Sequence, residues 1–123
     1  MADILVVDDN ATNRLLLATI LELGHHVIHE AEDGEAALRF LSAQRPHLVI
    51  LDLNMPGMPG TELIKQMRRD PELAKIPLML YTASATTPSL EQFCEANAIV
   101  GVIPKPSEPE EVLRLVSSVL AMR

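Results

Sequence analysis

Apolar residues along this chain fall into two alternating patterns. Continuous apolar runs occupy residues 4–7, 48–51 and 78–81, and a more polar stretch over residues 25–30 alternates apolar and polar side chains. Residues 99–103 are a fifth predicted strand. Continuous runs are typical of strands buried on both faces of a parallel sheet, whereas alternation is typical of a strand with one exposed face. Between them, apolar residues recur at the spacing of amphipathic helices. The sequence therefore predicts five strands that alternate with helices.

Capping residues predict where these helices begin and end. Asn10 and Asp33 are expected to cap the N-termini of the first and second helices, and Gly24 to follow the first helix as its C′ glycine. Thr87, which precedes a proline, predicts the start of the fourth helix. Residues 107–110 read Ser-Glu-Pro-Glu, a capping-box pattern that predicts the start of the last helix.

These units predict an α/β domain in which helices cover both faces of a parallel sheet, because crossovers between parallel strands are right-handed. The doubly wound strand order 2-1-3-4-5 fits the pattern best. It makes the first, third and fourth strands internal, and these are continuous apolar runs. It places at the edges the alternating second strand and the fifth strand, which carries Pro104.

Charged and hydroxyl side chains follow the strands that this order makes neighbours. Asp8 and Asp9 come after the first strand and Asp52 after the third, so the three carboxylates are expected to meet at the carboxyl edge of the sheet. Such a cluster repels itself unless a cation is present, and oxygen ligands suit Mg²⁺. Thr82 after the fourth strand adds a hydroxyl, and Lys105 after the fifth adds an ammonium that binds phosphate. Together they predict a phosphoryl-transfer site with a carboxylate nucleophile.

Length and charge limit the classes of function. The 123 residues are enough for one domain with a sizeable core, and we expect residues 1–123 to form that domain. The formal charge of −7 argues against direct binding of nucleic acid, which needs clustered lysine and arginine. No apolar run approaches the roughly 18 residues of a membrane span, and the N-terminus lacks the pattern of a signal peptide. With one cysteine, Cys94, the sequence predicts a cytoplasmic protein with no membrane partner.

Four segments carry a resemblance to a known family. Residues 6–10 read Val-Val-Asp-Asp-Asn, residues 51–60 Leu-Asp-Leu-Asn-Met-Pro-Gly-Met-Pro-Gly, residues 81–83 Tyr-Thr-Ala and residues 105–106 Lys-Pro. In this order and spacing they resemble, over the whole chain, the signatures of response-regulator receiver domains of two-component signalling. Residues 8–14 are most similar to receivers found in hybrid sensor kinases. The resemblance implies a (βα)5 flavodoxin-like domain that signals through an aspartyl phosphate and is not an enzyme in the ordinary sense.

The resemblance also implies a phosphate donor and a metal. Asp52 would be phosphorylated reversibly by a phosphohistidine of a histidine kinase or a histidine phosphotransfer protein. Asp9 and Asp52 would bind Mg²⁺ directly, together with the backbone carbonyl of Asn54, and Asp8 would act through a metal-bound water. An output domain or effector protein would then respond to the phosphorylated surface.

For the phosphoryl group, the resemblance implies that Thr82 and Lys105 hold its oxygens and that a cis Lys105–Pro106 bond aims the lysine. The family usually has an aromatic residue three positions before this lysine, which turns inward when the Thr82 position moves. This chain has Val102 there. We therefore expect a smaller or relocated surface change on phosphorylation.

Two further positions depart from the family's pattern. Pro59 replaces an aspartate that usually follows the second methionine of the loop, and as a first helical residue it is expected to cost little. Residues 96–98 read Ala-Asn-Ala and lack the glycine that the family usually has near this turn.

Two other classes of function stay open. An aspartate-nucleophile phosphatase of the haloacid dehalogenase type needs a second aspartate two residues after the nucleophile, where this chain has Asn54. A pseudo-receiver that is never phosphorylated is the other alternative, although all the site residues are present. His25, His26 and His29 resemble a metal cluster, but alternation along a strand would put His26 on the opposite face, which predicts an ordinary edge-strand surface.

Overall fold

The computed structural model describes residues 2–53, 57–83, 88–105 and 107–122. Strands and helices alternate through these residues in the predicted order. The elements are β1 (Asp3–Val7), α1 (Ala11–Leu23), β2 (Val27–Ala31), α2 (Gly34–Ala43), β3 (Leu48–Leu51), α3 (Gly60–Arg69), β4 (Leu78–Thr82), α4 (Pro88–Ala96), β5 (Ile99–Pro104) and α5 (Pro109–Ala121), with a short 3₁₀ helix, Leu73–Lys75, before β4. The predictions for Asn54, Thr87 and Pro106 lie outside the described residues.

A single parallel sheet with the order β2-β1-β3-β4-β5 forms the centre of the described fold, so the predicted topology is confirmed. β1 lies between β2 and β3, because Val7 pairs with Ala31 on one side and with Leu51 on the other. β4 pairs with β3 and, through Thr82 and Pro104, with β5. Since the strands are parallel, the residues that follow β1, β3, β4 and β5 emerge at one edge of the sheet.

Strand alternation divides the core between the two faces of the sheet. Leu5 and Leu80 pack against α2 and α3 on one face, whereas Ile4 and Tyr81 pack against α1 and α5 on the other. No described residue of α4 is fully buried. Three apolar residues of α4 instead pack half-buried on the first face; they are Leu90, Phe93 and Cys94. Among the described residues, no helix combines the length and apolar character that crossing a membrane requires.

The first two helices start at their predicted caps. The Asn10 side-chain oxygen accepts a hydrogen bond from the Asn13 N–H (2.9 Å) at the start of α1. The Asp33 carboxylate accepts one from the Ala36 N–H (2.7 Å) at the start of α2. These contacts satisfy N–H groups that have no partner within the helix.

The starts of α3 and α5 differ from the prediction. Pro59 is the N-cap of α3 rather than its first helical residue, and no side chain caps that end. The predicted capping box at Ser107 does not form, because the N-cap of α5 lies one residue later and no side chain caps it. The Ser107 hydroxyl instead donates a hydrogen bond to the Pro104 carbonyl. Glu108 is the N-cap of α5 and Pro109 its first residue. Pro109 suits that position because it has no N–H to satisfy.

The end of α1 also differs from the prediction. Gly24 has a right-handed φ of −86°, and the left-handed residue is His25, with a φ of 66°. The His25 N–H donates to the Glu22 carbonyl (3.0 Å), which completes the helix-ending turn one residue later than expected. This turn also contains His26, so the strand predicted over residues 25–30 begins later in the structure.

A second left-handed residue, Ala98, lies in the turn between α4 and β5, with a φ of 55°. Arg68 of α3 holds this turn by donating to the carbonyls of Asn97 (2.8 Å) and Ala98 (3.3 Å). The turn therefore forms with alanine at a position that favours glycine.

Candidate functional site

Three carboxylates meet at the carboxyl edge of the sheet, where the sequence predicts them. Asp8 and Asp9 follow β1, and Asp52 follows β3, where its N–H donates to the Val7 carbonyl (3.1 Å). One oxygen of each carboxylate lies within 4.8 Å of the others. Asp8 is only 2% exposed, whereas Asp52 is half-buried and Asp9 is exposed. The cluster thus extends from the protein interior to solvent.

Lys105 brings a positive charge into this cluster. Its ammonium donates to Asp52 Oδ2 (3.0 Å) and to Asp8 Oδ2 (3.2 Å), and 14% of its side chain is exposed. Burial by itself lowers the pKa of Lys105, but the hydrogen bonds and charges of Asp52 and Asp8 outweigh burial and raise that pKa. The sequence predicts Lys105 only as a phosphate-binding residue. In the structure it also compensates two of the three carboxylates.

Asp8 is held in place from its own loop and from α1. The Asn10 N–H donates to Asp8 Oδ1 (2.9 Å), and Arg14 Nη1 donates to the Asp8 carbonyl (2.7 Å). Arg14 in turn pairs with Glu30 of β2 (3.0 Å). Sequence reasoning missed Arg14. Its position one turn after Asn10 on α1 was the available signal, because helical side chains point back toward the N-terminus.

β4 contributes two residues that lie on opposite faces of the sheet. Thr82 is buried at the end of β4, and its carbonyl accepts a hydrogen bond from the Lys105 N–H (2.9 Å). Tyr81 faces α1 and α5, and its ring centroid lies 4.8 Å from Lys105 Nζ. Burial raises the pKa of Tyr81, while the nearby charge of Lys105 opposes that increase. The sequence did not predict this ring contact.

The start of α3 packs closely against the segment that carries Asp52. A Cβ placed on Gly60 would lie 2.7 Å from Leu53 Cα and 2.8 Å from the Asp52 carbonyl oxygen. The Gly60 N–H also donates to the Leu53 carbonyl (3.1 Å). Only glycine permits this approach without a backbone shift.

The donor set suits a small divalent cation. The carboxylates of Asp8, Asp9 and Asp52 supply oxygen ligands of the kind that Mg²⁺ prefers, and the exposure of Asp9 leaves room for water ligands. The predicted fourth group, the Asn54 carbonyl, lies outside the described residues. The described residues therefore fit the predicted metal.

The chain is similar to one family over most of its length. The family model for the response regulator receiver domain matches residues 4–117. This chain belongs to the response-regulator receiver domain family. The receiver is 38% identical to the chemotaxis protein CheY-3 of Vibrio cholerae over 104 residues, which cover 84% of this chain and 79% of that protein.

Solved structures agree with the assignment of this chain to the receiver family. The structure of Vibrio cholerae chemotaxis protein CheY4 has a TM-score of 0.90 and 31% identity, covering 97% of this chain and 98% of that one. The receiver domain of sensor histidine kinase PA1611 from Pseudomonas aeruginosa, described with a magnesium ion in its active-site cleft, has a TM-score of 0.86 and 22% identity over 98% of each chain. The latter similarity bears on the fold alone.

Family membership confirms the predicted fold and functional class of the receiver. Receiver domains are signalling domains rather than conventional enzymes, and they bind Mg²⁺ in their active sites. The acidic cluster is consistent with that property. The similarity of residues 8–14 to hybrid-kinase receivers stays a prediction.

Proposed function

We propose that this receiver accepts a phosphoryl group on Asp52 from a phosphohistidine and so carries a two-component signal. The observation that carries the proposal is the position of Lys105 Nζ, 3.0 Å from Asp52 Oδ2 beside two further carboxylates. A half-buried carboxylate next to a fixed ammonium and a cation-binding cluster has what phosphoryl transfer requires: a nucleophile, positioning and charge stabilisation.

Mg²⁺ is held in this proposal by Asp9 and Asp52, with the Asn54 carbonyl as a further ligand and Asp8 acting through water. When bound, the ion neutralises negative charge on the phosphoryl oxygens. Asp8 is kept in place for this role by the Asn10 N–H and by Lys105. The three carboxylates, with one oxygen of each within 4.8 Å of the others, support the choice of metal.

The transfer itself uses side chains of the chain and of the donor. An oxygen of Asp52 forms a bond to phosphorus while the bond from phosphorus to the donor's imidazole nitrogen breaks, and the bonding pair leaves with that nitrogen. Lys105 stabilises one phosphoryl oxygen, and the Thr82 hydroxyl at the end of β4 holds another. Water later attacks phosphorus while the bond from phosphorus to the Asp52 oxygen breaks, which releases inorganic phosphate and restores the carboxylate. This autodephosphorylation is the receiver's own chemistry.

The partners follow from this chemistry. A histidine kinase or a histidine phosphotransfer protein supplies the phosphoryl group, and an output domain or effector protein responds to the phosphorylated form. In this proposal the receiver domain comprises residues 1–123 and acts in the cytoplasm. It binds neither nucleic acid nor a membrane directly. The net charge of −7 supports the absence of direct nucleic-acid binding.

The test is phosphorylation by acetyl phosphate in the presence of Mg²⁺. The wild-type chain should gain one phosphoryl mass, and hydroxylamine should remove it, because an acyl phosphate is labile to that nucleophile. Asp52→Asn should abolish the gain. Asp3→Asn is the matched control, since Asp3 lies at the opposite end of β1 from the acidic cluster, and it should leave the gain unchanged. Phosphorylation of the same peptide in Asp52→Asn would overturn the assignment.

The two alternatives from the sequence are not favoured. A phosphatase of the haloacid dehalogenase type is not supported by the family match, and Asn54 occupies the position of its second aspartate. The carboxylates of Asp8, Asp9 and Asp52 lie close together, and the Lys105 ammonium pairs with two of them. This arrangement argues against a pseudo-receiver.

A further inference from the structure

Lys105 contacts a side chain that the phosphoryl-transfer chemistry does not use. Its ammonium lies 4.8 Å from the centroid of the Tyr81 ring while it donates to Asp52 and Asp8. A ring face attracts a cation within about 6 Å through the electrostatic quadrupole of the ring. The ammonium is thus held by the ring as well as by the two carboxylates.

The backbone explains how this contact arises. Tyr81 pairs with Ile103 in the register of β4 and β5, and both side chains pack on the face that α1 and α5 cover. Lys105 lies two residues beyond Ile103, so its side chain starts from the same side of the sheet. The Lys105 N–H is bound to the Thr82 carbonyl, which fixes the lysine next to the residue that follows Tyr81.

We propose that Tyr81 is a positioning residue whose ring holds the Lys105 ammonium beside Asp52, where the phosphoryl group is transferred. This inference rests on the proposed phosphorylation of Asp52. It assigns a function to the ring face and none to the phenol hydroxyl.

The physical argument concerns the freedom of the lysine side chain. Lysine carries a compact charge on a flexible four-carbon stem, so carboxylates alone leave several rotamers open to it. The attraction between a cation and a ring is strongest where water is excluded. Tyr81 is 7% exposed and the Lys105 side chain 14% exposed, so this pair is largely desolvated. Removing the ring frees the ammonium to move away from Asp52.

The test compares three variants. Tyr81→Leu removes the ring, Tyr81→Phe keeps it without the hydroxyl, and Met79→Val reduces packing on the same face of β4 two residues earlier. With acetyl phosphate and saturating Mg²⁺, Tyr81→Leu should take up phosphoryl about threefold to tenfold more slowly. Tyr81→Phe and Met79→Val should match the wild type.

A spectroscopic measurement separates positioning from packing. Protons above a ring face resonate upfield, so the Lys105 ε-methylene signal should be displaced upfield in wild type and Tyr81→Phe and not in Tyr81→Leu. An undisplaced signal in wild type would overturn the inference even if Tyr81→Leu failed to fold. So would a Tyr81→Leu rate equal to wild type, or a Tyr81→Phe rate as slow as that of Tyr81→Leu. If the wild type took up no phosphoryl group, the proposed function would be wrong. The ε-methylene signal would still show whether Lys105 lies over the Tyr81 ring.

Discussion

His25 and Ala98 adopt the left-handed backbone conformation, with φ values of 66° and 55°. That region costs a residue with a Cβ about 1–2 kcal/mol relative to the right-handed one. Ala98 has no polar side chain to offset the cost. The bonds from Arg68 to the carbonyls of Asn97 and Ala98 stabilise the turn instead. Tertiary contacts thus hold a conformation that the local sequence disfavours.

Replacing this alanine should therefore stabilise the receiver. Ala98→Gly is expected to raise the free energy of unfolding by about 0.5–1 kcal/mol, because relief of the left-handed strain exceeds the added entropy of the unfolded chain. Urea denaturation followed by circular dichroism measures the change. Ala96→Gly is the matched control. Ala96 is the last residue of α4, and glycine there should destabilise by up to about 1 kcal/mol. A loss of stability in Ala98→Gly would contradict the strain argument.

At the scale of elements, the sequence predicted the strands and helices because burial imposes a period on the side chains. β3 has the predicted bounds, and α3 buries apolar residues at helical spacing, Leu63, Ile64 and Met67. Element ends were predicted less well because they depend on contacts from elsewhere. Ser107 does not cap α5, because the helix begins one residue later than predicted, with Glu108 as its N-cap.

The same limit applies to the site. The order of the strands predicts that Asp8, Asp9 and Asp52 converge, because each directly follows a neighbouring strand. It does not predict the path of a long side chain after the strand ends. For this reason the ion pairs of Lys105, its contact with Tyr81 and the bond from Arg14 to Asp8 required the structure.

The carboxylates that follow β1 and β3 lead us to expect that bound Mg²⁺ stabilises the fold. A ligand that binds only the folded state adds RT ln(1 + [L]/Kd), which is about 2.7 kcal/mol at one hundred times Kd. Mg²⁺ should therefore raise the thermal midpoint of unfolding. Asp9→Asn should remove most of that increase and should raise the metal-free midpoint, because it relieves repulsion within the cluster.

Scanning calorimetry with Mg²⁺ and with a chelator measures both midpoints. Glu22→Gln is the matched control, since Glu22 is an exposed carboxylate near the other end of α1, and it should keep the wild-type response to Mg²⁺. A wild-type midpoint that does not depend on Mg²⁺ would rule out the effect.

At the scale of the whole molecule, the surface formed by α4, β5 and α5 is expected to respond weakly to phosphorylation. Val102 of β5 pairs with Leu80 and packs half-buried on the face of α2 and α3. It has no ring to turn inward, and its χ1 is stiff. Tyr81 does not replace the ring, because it packs on the opposite face of the sheet. A ligand shifts two states only through its differential interaction with them, and one such interaction is missing here.

Backbone amide shifts with and without beryllofluoride, a mimic of the phosphoryl group, test this expectation. Shifts should be large near Asp52 and Thr82 and smaller over residues 99–116. Val102→Tyr provides the comparison, since it restores a ring at this position and should enlarge the shifts over those residues. Equally large shifts in both segments of the wild type would show that the ring is dispensable.

The ion pairs of Lys105 also affect how the receiver responds when the concentration of free cations changes. The ammonium is tethered through β5, so its local concentration at Asp8 and Asp52 does not fall when free cations are diluted. Because the pairs are largely buried, dissolved salt screens them little. The buried Asp8 therefore keeps a counter-ion when no metal is bound, and a fall in free magnesium removes only the additional stability that the bound ion supplies.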